Sequence, residues 1–140
     1  MFVLTVDQRG SRRDVDRVGD IIDDMADRRL LRPFERTAGD EIQAVTDDPA
    51  LLVLVALELI RREHWSVGIG IGPVEQPLPR QTRAGRGPAF EAARIAVERA
   101  EVPFALDQRV AQREVLRHAH HGLVHRRVSV RMEIAEHVTN

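Results

Sequence analysis

The 140-residue chain contains no cysteine. Disulfides, thiolate nucleophiles and cysteine zinc sites are excluded together, and with them any disulfide-based reason to place the chain outside the cytoplasm. Lysine is missing too: all 21 Lys-plus-Arg positions are arginine, which removes Schiff-base chemistry and a P-loop lysine. There is no long hydrophobic run. The longest, residues 49–57, falls far short of the ~20 apolar residues that span a membrane. The opening Met1-Phe2-Val3-Leu4-Thr5-Val6-Asp7 becomes charged too soon for a secretory signal. A cytoplasmic protein without a membrane partner is expected. Net charge is also lacking: 22 acidic against 21 basic residues give −1, so no global field draws nucleic acid to the chain, and such binding would need a local patch.

What is present suffices for a real core. The chain is 43% hydrophobic and 31% charged, as a soluble domain of this length requires. Residues 2–6 read as a buried strand stopping at Asp7. Gln8-Arg9-Gly10-Ser11 is a turn, and Val15, Val18, Ile22 and Met25 then recur at helical spacing up to about Arg28. Residues 33–37 and 41–46 suggest two strands joined through Ala38-Gly39-Asp40. Asp47-Asp48-Pro49 starts a helix over about 50–62, apolar nearly all round until Glu58 and so expected to be deeply packed. Residues 65–71 form a strand and 89–100 an alanine-rich helix. Between them, residues 72–88 form a long loop with four prolines, three glycines and three arginines. Residues 102–106 suggest a closing strand.

This order suits an α+β fold: a ferredoxin-like antiparallel sheet with helices on one face. In that topology the end of strand one and the hairpin between strands two and three share one end of the sheet. Asp7 and Asp40 are therefore expected to meet there. Two such carboxylates can hold Mg²⁺ or Mn²⁺, which would neutralise a polyphosphate. Asp is equally an ordinary residue after a strand or in a Gly-Asp turn. The compact domain is expected over residues 1–106, followed by an Arg- and His-rich segment, 107–140.

Three further segments carry a resemblance. Arg36-Thr37-Ala38-Gly39-Asp40-Glu41, residues 65–72 and residues 87–94 resemble the class III nucleotide cyclases in spacing and order, and Gly39-Asp40-Glu41 resembles the hairpin of GGDEF domains. Taken with the Val6-Asp7-Gln8-Arg9-Gly10-Ser11 opening, the chain is most similar to the SatD-like family of small bacterial proteins, over roughly residues 2–106. The resemblance implies that Asp7 and Asp40 are metal carboxylates, and that Gly10 and Ser11 offer backbone N–H groups to phosphate. Arg36 would stand where cyclases often recognise the base, beside Gly39, and Arg94 would stabilise transition-state charge. A homodimer is implied as well. The cyclase asparagine four residues before that arginine is Phe90 here, which has neither donor nor acceptor to orient a ribose. The expected ligand is a nucleotide or other phosphorylated small molecule. If the chain is an enzyme, the reaction is metal-dependent nucleotidyl or phosphoryl transfer.

Other features leave alternatives open. Gly68, Gly70 and Gly72 share one strand face, which would admit either a ligand ring or a tightly packed helix. Arg80, Arg83 and Arg86 precede a helix N-terminus, where anions bind readily, and would form a lid over a metal-bound phosphate; they would equally suit a solvated loop. The His118, His120, His121 and His125 cluster is a weak metal signal. Val128, Val130, Met132 and Ile134 alternate like a strand. A helix over 108–121 is the one feature pointing to the alternative of a regulatory, DNA-associated module without enzymatic activity.

Overall fold

The computed structural model describes residues 1–101 and 130–134. Strands β1 (Phe2–Gln8), β2 (Arg32–Ala38), β3 (Glu41–Thr46) and β4 (Trp65–Ile71) form an antiparallel sheet, and β5 (Val130–Ile134) runs parallel to β4 at its edge. The order is β2-β3-β1-β4-β5. Helices α1 (Val18–Asp24), α2 (Pro49–Arg61) and α3 (Pro88–Glu101) complete the fold. The C-terminal segment thus contributes a strand to the sheet, so the change in composition near residue 107 does not mark the sheet's end. The anticipated strand at 102–106, the histidine cluster and the helix at 108–121 lie outside the described residues. Among the described residues, no helix is long and apolar enough to cross a membrane.

Strand alternation divides the interior into two. Leu4, Val6, Ile42, Ala44, Val67 and Ile69 face one side and pack with α1 and α2. Val3 and Val45 face the other, against Ala89, Phe90 and Ala93 of α3. This corrects the expectation of helices on a single face. The two glycines of β4 explain it: a Cβ at Gly70 would lie on the Ala89 carbonyl oxygen and 2.5 Å from the Ala93 nitrogen, and Gly68 meets Ala93 and Val97 in the same way. The bare strip receives a helix backbone rather than a ligand ring. Phe90 is buried in this second core, with its ring against Gly85, so its place in the chain is a packing position.

Two helices depart from their sequence pattern. The first begins at Val18, and Val15 is 65% exposed. Side chains capture the backbone ahead of it: Val15 N–H donates to Asp14, Arg17 N–H to Gln8 and Val18 N–H to Asp16. Such local bonds compete with helical ones. Helix α2 starts where expected because the Asp48 carboxylate accepts from the N–H groups of Ala50 and Leu51, leaving Pro49 where its missing N–H costs nothing. Asp48→Ala is expected to destabilise the fold by about 1 kcal/mol in urea unfolding. The far side of α2 is not packed: Val53, Leu54 and Leu57 are exposed.

Candidate functional site

The antiparallel pairing of β1 with β3 sets Asp7 beside Glu41. Gln8 N–H donates to the Asp40 carbonyl at 3.2 Å, which ties the end of β1 to the β2–β3 hairpin. After β1 the chain turns through Gly10 in the left-handed region (φ 70) into a short 3-10 turn, Ser11–Arg13. That turn carries no side-chain cap at its start. The Ser11 hydroxyl donates to the Asp40 carboxylate. The Asp7 carboxyl also lies within hydrogen-bonding reach of Asp40, and its Oδ1 is buried. Five residues named from sequence, Asp7, Gly10, Ser11, Gly39 and Asp40, therefore converge at one sheet end.

Burial pushes the Asp40 carboxyl upward, but hydrogen bonds from Ser11, from Asp7 and from its own backbone, together with the Arg12 guanidinium, hold it below the ordinary carboxylate range. Two carboxylates this close cannot both stay ionised without a proton or a cation between them. Because its folded value is depressed, ionised Asp40 stabilises the protein above its unfolded value, near 4, and that contribution is lost as pH falls through the folded value. Ser11→Ala removes one of the bonds that lower it. The Asp40 carboxyl should then titrate closer to the ordinary range when followed by carbon-13 NMR, and the acid loss of stability should begin at a higher pH.

The donor set suits a hydrated hard cation. Mg²⁺ characteristically takes one or two carboxylates and leaves its other positions to water and phosphate. Among the described residues no third histidine, aspartate or glutamate joins the pair; the Glu41 carboxylate turns instead to the Thr37 hydroxyl. One strand away, facing the same side as its partner Asp7, the Ser66 hydroxyl is buried without a hydrogen bond.

Arg36 reaches the edge of this end. Its guanidinium donates to the Gly39 carbonyl at 2.6 Å and to both oxygens of Asp16, at 3.0 and 2.7 Å. Beside it a groove of about 350 Å³ is lined by Ile22, Phe34, Glu35, Arg36, Gln81 and Arg83.

Two other candidates are not brought to the pair. Arg86 sits where its carbonyl accepts from Glu75 N–H, close to the Pro73 carbonyl that holds Ala89. That is the opposite end of the sheet, about five strand residues or ~17 Å from Asp7, and beyond an arginine's reach. The anticipated lid is instead a brace along β2: the Thr82 hydroxyl donates to the Pro33 carbonyl and Arg83 N–H to Glu35. Arg94 is exposed on α3, next to Ala93, which rests over Gly68 and Gly70. The arginine that does act on Asp40 is Arg12, which sequence reasoning overlooked although it directly follows Gly10-Ser11. Gln8 was also missed. It is buried, accepts from Arg17 N–H and donates to the Val15 carbonyl at 2.6 Å, closing the loop after the turn. Its polarity beside an apolar run was the only available signal.

No protein-family model matches the chain, and no match was found among curated proteins or solved structures. Fold and site together define an α+β protein with paired carboxylates at one end of an antiparallel sheet.

Proposed function

We propose that this is a SatD-like protein of nucleotide-cyclase-like fold that binds a nucleotide or another phosphorylated small molecule through a divalent cation, Mg²⁺ or Mn²⁺, held by Asp7 and Asp40. The observation that carries this reading is the hydrogen-bonded contact of two carboxylates 33 positions apart in the chain, at a sheet end that also presents the uncapped Gly10–Ser11 turn. Such a pair needs a proton or a cation between its oxygens, and a cation is what the site would gain by binding. When bound, the cation would supply charge neutralisation for phosphate oxygens.

The chain's own residues have separable tasks. Ser11 fixes the orientation of the Asp40 carboxylate. Gly10 allows the sharp turn that brings the Ser11 and Arg12 backbone close to a bound anion. Arg12 adds positive charge beside Asp40. Arg36, anchored by Asp16 and Gly39, borders a groove with Phe34 and Ile22 as apolar walls, a suitable seat for the organic part of the ligand. The exposed position of Arg94 and the core position of Phe90 favour binding without turnover by a single chain. Calorimetric titration of Mn²⁺ with a panel of nucleoside mono-, di- and triphosphates tests the reading. Saturable heat that requires both metal and phosphate supports it, and a flat titration across the panel overturns it.

A further inference from the structure

We propose that the outward face of α2 is a self-association surface on which two copies of this chain pair antiparallel about Leu54. Val53, Leu54 and Leu57 are 54%, 61% and 43% exposed, in the middle of a 13-residue helix. Three large aliphatic side chains in one outward stripe are an unusual thing to leave in water, and contiguous apolar patches mark contact sites.

The charges at the two ends of this helix select the occupant. Asp47 precedes the N-terminus and Arg61 closes the last turn; both are exposed. The other arginines near α2 are engaged: Arg28 binds Glu58, and Arg62 binds Glu58 and Asp24. Asp47 and Arg61 have no ion pair among the described residues. Along its axis the face therefore reads acidic, apolar, basic. Two copies laid parallel would set Asp against Asp and Arg against Arg. Laid antiparallel, each Asp47 meets the other copy's Arg61, and the apolar stripes cover each other. Leu54 lies midway in sequence between those two charges and is the most exposed apolar residue of the stripe. The axis that pairs the charges is thus the axis that buries the leucine.

Such a contact is isologous, so every pairing off the axis occurs twice and the assembly closes at two copies. A single helix pair ~20 Å long falls at the small end of specific interfaces, below about 1,200 Å² of total buried area. The association is accordingly reversible and weak. The C-terminal end of α2 leads through His64, whose carbonyl accepts from Arg9 N–H, to the Asp7–Asp40 end of the sheet. Antiparallel pairing therefore leaves the two sheet ends apart and open, and the inference stands independently of the ligand reading.

Sedimentation equilibrium of the full chain over a concentration series tests it, with circular dichroism melting to show that every variant folds. Wild type is expected to self-associate to a dimer. Leu54→Glu should weaken the dimer by about 100-fold or more, because it sets two carboxylates together at the axis. Asp47→Arg and Arg61→Asp should each weaken it by about 10-fold, since each acts twice. The double variant Asp47→Arg/Arg61→Asp should return to the wild-type association. A wild-type chain that stays monomeric up to ~1 mM, or a dimer indifferent to all four variants, overturns the proposal. Loss of association in both single reversals without recovery in the double variant overturns the antiparallel pairing.

Discussion

Asp7→Asn should make the metal-free protein more stable and at the same time abolish its response to Mn²⁺ with nucleotide. The two effects have one cause. In the wild type, Asp7 and Asp40 approach to hydrogen-bonding distance and must share a proton or a cation. Asparagine has the same shape, carries no charge and can donate an N–H permanently to Asp40, so the need for a shared proton or cation disappears while a hydrogen bond to the ionised Asp40 carboxylate remains. A gain of about 1 kcal/mol, or a few degrees in Tm, is expected without metal. Saturating metal–nucleotide at ~100 times its Kd should stabilise the wild type by about 2.7 kcal/mol and leave the variant unchanged. Because the cation displaces a proton, apparent metal affinity in the wild type should also rise with pH. Asp7→Asn that lowers stability, beside a wild type indifferent to Mn²⁺, would reduce the pair to turn architecture.

The convergence of that pair was legible because it depends only on chain order. Once strand, helix, strand, hairpin and strand are recognised, a split βαβ topology fixes which ends coincide; β3 and β4 keep their expected limits, and β1 runs two residues beyond its expected end, through Gln8. What stayed hidden depended on side-chain competition and on sheet faces. Val15 has the right spacing for the core face of α1, yet Asp14, Asp16 and Gln8 capture the N–H groups that a longer helix would need. The side of the sheet taken by α3 was ambiguous because a glycine strip admits either a ligand or a helix, and only the packed backbone of Ala89 and Ala93 decides between them. The lid reading of the loop arginines failed for a related reason, while the solvated-loop alternative fits their exposure. Antiparallel β4 carries the chain away from Asp7, so whatever follows Ile71, Arg86 included, begins at the far end of the sheet.

That packing makes Gly70→Ala a severely damaging substitution. Its single added carbon would occupy the space of the Ala89 carbonyl oxygen and approach the Ala93 nitrogen to 2.5 Å. Both neighbours are helix backbone, so no rotamer change relieves the clash, and α3 as a whole must lift from β1 and β4. The helix would then lose burial of Ala89, Phe90 and Ala93 against Val3 and Val45. A loss of about 3–5 kcal/mol is expected, a large share of the roughly 5–15 kcal/mol that holds a domain folded. Gly19→Ala is the matched control. Gly19 is exposed in α1 with nothing within 4 Å of a built Cβ, so the same chemical change should stabilise the protein by about 0.5–1 kcal/mol through helix propensity and a less flexible unfolded chain. Urea unfolding of the two variants should therefore shift in opposite directions. A cost below about 1 kcal/mol at Gly70 would mean that α3 rides loosely over β4, and the strip of glycines would then be free to admit something other than a helix.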